Sequence, residues 1–357
     1  MKKWLWICPL MALLSNCANV EKKQEVASAF ERTWWKEGIL YQIYPQSFRD
    51  TDGDGFGDFK GVIEKLDYIE SLGITMVWMN PFFQSPLVDN GYDVSDYRAI
   101  HPRYGNMEDF EEMLEGFHQR GIKFVLDVVV NHSSEAHEWF QQAQSSRTNP
   151  YRDYYHWWLA EKGVPPYRHS LFDPEGAWEY DAPTDAYYLH TFAEEQPDLN
   201  WENPKLLQEV YDIMKFWAAK GVDGFRMDAF QFASKDTTWP EFPEGHVKDF
   251  VKWYGMRPQL HTYLNEMYHE VIEKYNVFAD FSSNKCRMEV TSRPYMSKTR
   301  TAHTIPTRNE LKLNPLIIDA SKQQLSIILE REDAYGRVRE TYGRGSNHYL
   351  NGCQTQG

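Results

Sequence analysis

Between residues 38 and 280 two kinds of apolar run take turns, and this alternation limits the fold more than any other feature. GILYQIYPQSF (38–48) reads as a strand. KGVIEKLDYIESLG (60–73) carries apolar residues at helical spacing and closes on a glycine. TMVWMNP (75–81) is a second strand, MEDFEEMLEGFHQRG (107–121) a second helix, and KFVLDVVVNH (123–132) a third strand. The third strand is apolar almost throughout, as a parallel strand buried on both faces should be. Residues 133–202 break the rhythm. They are rich in aromatics, Pro, Asp and His, show no clear period, and read as an inserted subdomain. Helix 203–221, strand VDGFRMDAF (222–230), helix 258–275 and a fifth strand from NVFAD (276–280) then resume the pattern.

Repeated strand–helix units imply an α/β fold with a parallel sheet. An open doubly wound sheet and an eightfold barrel both satisfy that pattern. No glycine-rich phosphate loop follows the first strand, which weakens the nucleotide-binding version. Polar residues gather at the carboxyl ends of the strands: Asn80, His132 and Asp228. Barrel enzymes carry their chemistry there. The expectation is a (β/α)8 TIM-barrel type, incomplete, with the first four to five β/α units and the insert.

The fourth strand poses the sharpest question. Arg226 and Asp228 are two apart, so they share one face of an otherwise apolar strand. Two buried charges are costly unless they pair or do chemistry. Asp127 and His132 flank VVVN at the end of the third strand, and DNGYD (89–93) follows the second. A lone His at a strand end is more often structural. Here several polar groups converge on one expected rim.

DTDGDGFGD (50–58) sets Asp50, Asp52, Asp54 and Asp58 among three glycines. The spacing suits Ca²⁺, which takes many oxygen ligands in a flexible loop, with the Phe56 carbonyl as a backbone ligand. It matches the first nine positions of a helix–loop–helix calcium loop. Gly61 stands where the twelfth-position Glu would be, so the expectation is a structural calcium loop of another fold. The bland reading is an acidic, solvated turn.

DVVVNH (127–132), GFRMD (224–228), DNGYD (89–93), QPDLN (196–200) and DTDGDGFGD together resemble the α-amylase superfamily, glycoside hydrolase family 13. The chain is most similar to its oligo-1,6-glucosidase and α-glucosidase branch, over about 33–280. Each motif alone is moderate, and five in the right order are specific. The resemblance implies a barrel with a B subdomain at 133–202. It implies Asp228 as the nucleophile that forms a covalent glucosyl-enzyme, and Arg226 as the cation that keeps it ionised and oriented. It implies that Asp127 positions Arg226, that His132 bonds the sugar in the first subsite, that Asp89 grips hydroxyls at the non-reducing end and that Tyr92 stacks on the ring. The implied activity is exo-hydrolysis of α-linked glucose from oligosaccharides, the alternatives being a non-catalytic sugar-binding or partner protein of the same superfamily and a transglycosylase or glucan isomerase. Ala229, small and next to the nucleophile, leans toward α-1,4 linkages.

A retaining glycosidase also needs a proton donor roughly 5–5.5 Å from the nucleophile. The family's Glu would follow NVFA almost at once, and this chain has Asp280-Phe281-Ser282-Ser283 there. Glu289 lies too far along the sequence, and Asn347-His348 lacks the family's His-Asp pair. The texture also changes. Residues 281–357 hold 12 Lys or Arg against 7 Asp or Glu, and all 13 Trp lie before 281. The expectation is that 281–357 is not the family's own continuation, and that activity of this chain is impaired.

The first 17 residues, MKKWLWICPLMALLSNC, read as a signal segment with a lipoprotein-type cleavage box at Cys17. Its apolar run is too short to span a bilayer. Residues 18–32 read as a polar tether. The expected location is the bacterial periplasm or outer membrane, with membrane contact only through a lipid on Cys17. No cysteine lies between 18 and 285, so the body needs no disulfide or zinc cluster. A net charge of −14 argues against nucleic acid as a partner.

Overall fold

A computed structural model describes residues 34–282 and, beyond them, short strands at 287–290, 317–319, 326–328, 331–332 and 338–339. The signal segment 1–17, the tether 18–32 and most of the tail 281–357 lie outside the described residues. The one-turn helix Trp34–Glu37 belongs to an N-terminal unit ending at Gly38. Everything below concerns the second unit, Ile39–Gly357.

The parallel sheet is built from β1 (Leu40–Ile43), β2 (Met76–Met79), β5 (Lys123–Val129), β9 (Gly224–Asp228) and β10 (Phe278–Ser282). Their spatial order is β10-β9-β5-β2-β1, so each strand lies beside its predecessor in the series. That is the order of successive barrel strands, not the reversal of a doubly wound sheet. Two hairpin strands, β3 (Phe83–Gln84) and β4 (Asp96–Ile100), sit between β2 and β5 in sequence. Their alternation is too short to read from sequence.

Two helices follow their sequence signals closely. Met107–Gln119 opens on a reciprocal cap: the Asn106 side chain accepts from Asp109 N–H at 3.0 Å, and the Asp109 side chain accepts from Asn106 N–H at 3.0 Å. Its buried face is Phe110, Met113, Leu114 and Phe117. Pro204–Ala219 opens on Asn203 with proline at its first position. It buries Leu206, Val210, Met214 and Trp217. The 60–73 segment is two short helices, Phe59–Glu64 and Leu66–Ser71, broken at Lys65. The 258–275 segment runs as an α-helix over Gln259–Met267, widens into a π turn at Tyr268–Ile272, and stops at Asn276 with φ 52°.

The core lies between the sheet and these helices. Trp217 packs edge-on to Phe82 and Phe110, with ring centroids 5.9 and 5.1 Å away. Gly224 is required in β9, because a Cβ there would lie 3.0 Å from both the Cβ and the carbonyl oxygen of Phe278 on β10.

The insert at 133–202 folds around a three-stranded antiparallel sheet: β6 (Trp157–Leu159), β7 (Trp178–Asp181) and β8 (Ala186–Leu189), ordered β6-β8-β7. A helix at Glu138–Ser145 precedes it.

Past β10 the parallel rhythm stops. β11 (Arg287–Val290) runs antiparallel to β10. β12 (Ile317–Asp319) lies parallel to β1 and antiparallel to β13 (Ser326–Ile328). Among the described residues no helix is long and apolar enough to cross a membrane.

Candidate active site

The alternation read in β9 holds. Phe225 and Met227 are fully buried in the core, and Arg226 and Asp228 point to the opposite face. Strand register then sets the neighbours. Asp127 on β5 pairs with Arg226 on β9, and Arg226 pairs with Asp280 on β10. The antiparallel β10–β11 pairing also brings Glu289 into register with Asp280, two strands from Arg226.

One guanidinium nitrogen, Arg226 Nη1, donates to both oxygens of Asp127 at 3.0 Å and to Asp228 Oδ1 at 2.5 Å. The guanidinium also stacks on the Trp78 ring, with its carbon 4.8 Å from the centroid. Trp78 Nε1 donates to Asp127 Oδ2 at 3.0 Å. Asp127 is completely buried. Burial pushes its carboxyl up, to about 7, against the pull of Arg226, with the charge of Asp228 adding to the rise. The flanking carboxylates more than offset burial for Arg226 and raise it further above its ordinary value.

A chain of polar groups extends this cluster toward β1. Gln42 Nε2 donates to Asn80 Oδ1 at 2.8 Å, Asn80 Nδ2 to the Tyr92 hydroxyl at 2.8 Å, and that hydroxyl to Asp127 Oδ2 at 3.3 Å. Burial, then Asp127, push the Tyr92 hydroxyl well above its ordinary range.

Asp89 and His132 form the other side. The loop carrying Asp89 is shaped by fully buried Asp93, which accepts from Ser85 Oγ and from the N–H groups of Val88 and Asp89 at 2.9–3.0 Å. Asp89 is pushed up to about 6, first by burial, then by the charges of Asp228 and Asp93, against a hydrogen bond from Gln196. Burial lowers His132, with Asp198 and Asp228 opposing. Asp228 is thus felt electrostatically at Asp89, Tyr92, Asp127 and His132. The rim residues named from sequence do come together.

The sequence reading missed the supports around these residues. Gln196 Nε2 lies 3.0 Å from Asp89 Oδ2 and 3.1 Å from His132 Nε2. Lys235, on the loop after β9, is buried and pairs with fully buried Asp198 at 3.2 Å while donating to Asn131 Oδ1 at 2.9 Å. That pair ties QPDLN to the loop after Asp228. QPDLN was visible as a motif, but nothing in the sequence pointed Lys235 toward it.

The acidic loop is gathered only in part. One carboxylate oxygen each from Asp50, Asp52 and Asp58 lie within 4.8 Å of one another. Asp54 stands outside that group, 3.9 Å from Arg103, whose guanidinium covers the Phe56 ring at 4.1 Å. Asp58 also caps the helix Phe59–Glu64, accepting from Gly61 N–H at 2.6 Å. Hydrogen bonds from the N–H groups of Gly53 and Gly55 lower Asp50 below the ordinary carboxylate range. The donors are hard oxygens on a tightly wound loop, which fits Ca²⁺.

The arrangement is a polar rim at the carboxyl ends of parallel strands, where barrel enzymes carry their chemistry. The family described as "Alpha amylase, catalytic domain" matches residues 42–332, so the chain belongs to the α-amylase family. The match runs past the change in composition near residue 280. The oligo-1,6-glucosidase of Parageobacillus thermoglucosidasius is 47% identical over 290 residues, which cover 79% of this chain and 49% of that protein. Among solved structures, the trehalose-6-phosphate hydrolase of Bacillus licheniformis superposes with a TM-score of 0.68 at 47% identity, covering 71% of this chain and 45% of that one. The isomaltulose synthase of Protaminobacter rubrum gives 0.68 at 46%, covering 70% and 45%. The chain spans about half the length of the curated relatives it matches.

Proposed function

We propose that this chain carries the nucleophile half of a retaining α-glucosidase that removes terminal α-linked glucose from oligosaccharides. One observation carries the reading: Arg226 is held between Asp127 and Asp228, and the charge of Asp228 reaches Asp89 and His132 across the same rim. Asp228 attacks the anomeric carbon, the glycosidic bond breaks, and a covalent glucosyl ester forms. Arg226 orients the attacking oxygen. Asp89 and His132 bind sugar hydroxyls, and Tyr92 stacks on the ring.

The leaving oxygen needs a proton. Asp280 is in register with Arg226 but lies just before the place expected for the family's donor. It is a shorter acid than Glu, so turnover of unactivated glucosides is proposed to be impaired. Loss of general acid catalysis costs about 10²–10⁴-fold. Transfer of the glucosyl group to a second sugar shares this first half-reaction. The likeness to an isomaltulose synthase keeps that alternative in play.

The experiment uses α-glucosyl fluoride, whose leaving group needs no protonation. Mass spectrometry of a quenched reaction should find a hexosyl adduct on the peptide bearing Asp228, absent in Asp228→Asn. No adduct, or one elsewhere, overturns the assignment.

Two further proposals concern the rest of the chain. Ca²⁺ would be held by Asp50, Asp52 and Asp58, clamping the loop onto the first barrel helix. The N-terminal segment would export the protein, with a lipid on Cys17. Detergent partitioning identical for the native chain and Cys17→Ala argues against the anchor.

A further inference from the structure

Fully buried Gln196 and Asn131 face the two nitrogens of His132, which is itself 1% exposed. The orientation of both amides is fixed by partners that can only donate. The backbone N–H of Ala193 donates to Gln196 Oε1 at 3.1 Å, so the Gln196 NH₂ faces Asp89 and His132. The Lys235 ammonium donates to Asn131 Oδ1 at 2.9 Å, so the Asn131 NH₂ faces Asp198 Oδ1 at 3.1 Å and His132 Nδ1 at 3.3 Å. Each amide hydrogen pair is thus divided between one carboxylate and one ring nitrogen. His132 lies between two donors.

A neutral imidazole accepts at one nitrogen only, and an imidazolium at none. The protonated ring would face two N–H donors at once. The neutral ring satisfies one donor and leaves the other opposed. On the Asn131 side the contact is closed by buried protein. On the Gln196 side lies the rim shared with Asp89 and Asp228.

We propose that Gln196 is a positioning residue: its amide couples Asp89 to His132 and, with Asn131 on the other ring nitrogen, holds His132 neutral and ready to turn Nε2–H toward a substrate hydroxyl. The last clause rests on the glucosidase reading; the coupling itself does not. A sugar hydroxyl, unlike an amide NH₂, both donates and accepts, so its arrival resolves the opposed contact. Burial already lowers the ring and Lys235 adds to that, while Asp198, Asp228 and the Tyr92 backbone favour the imidazolium; the two amide donors act on top of this balance. Asp89 is linked to the ring through Gln196.

The test is a pH titration of the His132 ring nitrogens by ¹⁵N NMR on the full chain without sugar. The native ring should stay neutral at pH 6. Gln196→Glu replaces a donor with an acceptor, and the midpoint should rise by at least about one pH unit. Gln196→Met removes the donor without adding charge and guards against misfolding of the first variant; its midpoint should also rise. An ordinary midpoint in the native chain, or unchanged midpoints in both variants, overturns the proposal. Adding glucose then tests the separate clause. If the Nε2 resonance moves in the native chain, a hydroxyl reaches the ring. If the coupling is found but glucose leaves Nε2 unmoved, the sugar-binding role fails while the coupling stands.

Discussion

Arg226 and Asp127 stand in register on adjacent parallel strands, and one guanidinium nitrogen reaches both oxygens of the carboxylate at 3.0 Å. The same nitrogen meets Asp228. One cation thus bridges two carboxylates that would otherwise face each other across a buried rim.

Replacing Arg226 with Ala should therefore destabilise strongly, by about 3–5 kcal/mol, because uncompensated buried charge remains. The sign of the pH dependence follows from Asp127, whose carboxyl is already raised to about 7. A raised carboxyl is penalised as pH rises through its folded value. The deficit in Arg226→Ala should be largest above pH 8 and shrink toward pH 5. Urea midpoints at both pH values check this. An equal loss at both would mean the guanidinium acts by packing on Trp78.

Asp89 offers the opposite experiment. Burial raises it to about 6. Between its ordinary value and about 6, the folded chain holds a proton that the unfolded chain has released, so stability falls with rising pH. Asp89→Asn keeps an acceptor for Gln196 and removes the charge. It should be more stable than the native chain above pH 6.5, by up to about 2 kcal/mol, and indistinguishable below pH 4. Sugar affinity should fall. A variant less stable at pH 8 would show that the Asp89 charge has a partner stronger than burial.

Much of this site was legible because period-two alternation is a local property. Arg226 and Asp228 share a face whatever surrounds them, and Asp127 ends a strand of the same sheet. Repeated strand–helix units implied a parallel sheet but fitted both a doubly wound sheet and a barrel; the observed order β10-β9-β5-β2-β1 is that of the barrel. What the sequence did not reveal is distance closed by loops. Gln196 reaches Asp89 across 107 residues, and Lys235 reaches Asn131 across 104. No periodicity encodes such contacts. The broken helix at Lys65 and the π turn at Tyr268–Ile272 were equally invisible, because apolar spacing persists through both.

Lys235 deserves its own variant. Its ammonium and the Asp198 carboxylate are both buried, 3.2 Å apart. Lys235→Met should cost about 3–5 kcal/mol by stranding Asp198, while Lys235→Met with Asp198→Asn should recover most of that loss. The coupling from the double-mutant cycle is the measurement. Additive losses would show that each side chain is supported independently.

The acidic loop makes a selective prediction. If Asp50, Asp52 and Asp58 hold the ion, millimolar Ca²⁺ should raise the melting temperature and a chelator should lower it. Saturation at about a hundred times the dissociation constant adds about 2.7 kcal/mol. Asp52→Asn should abolish the response. Asp54→Asn should leave most of it, since Asp54 faces Arg103 and not the cluster. Equal loss in both variants would return Asp54 to the ligand set.

Ala229 follows Asp228 with φ 50°, a left-handed conformation that costs a residue bearing a Cβ roughly 1 kcal/mol. It is buried and begins the turn Phe230–Phe232, so the strain sits at the end of β9, where the direction of Asp228 is set. Ala229→Gly relieves the strain but frees the backbone in the unfolded chain, and the two effects oppose each other. The net change in stability should stay within about 0.5 kcal/mol. The rate of Asp228 labelling by α-glucosyl fluoride should fall several-fold, because the looser turn holds the carboxylate less firmly against Arg226. Unchanged labelling with higher stability would show that the left-handed turn is strain without a role in aiming Asp228.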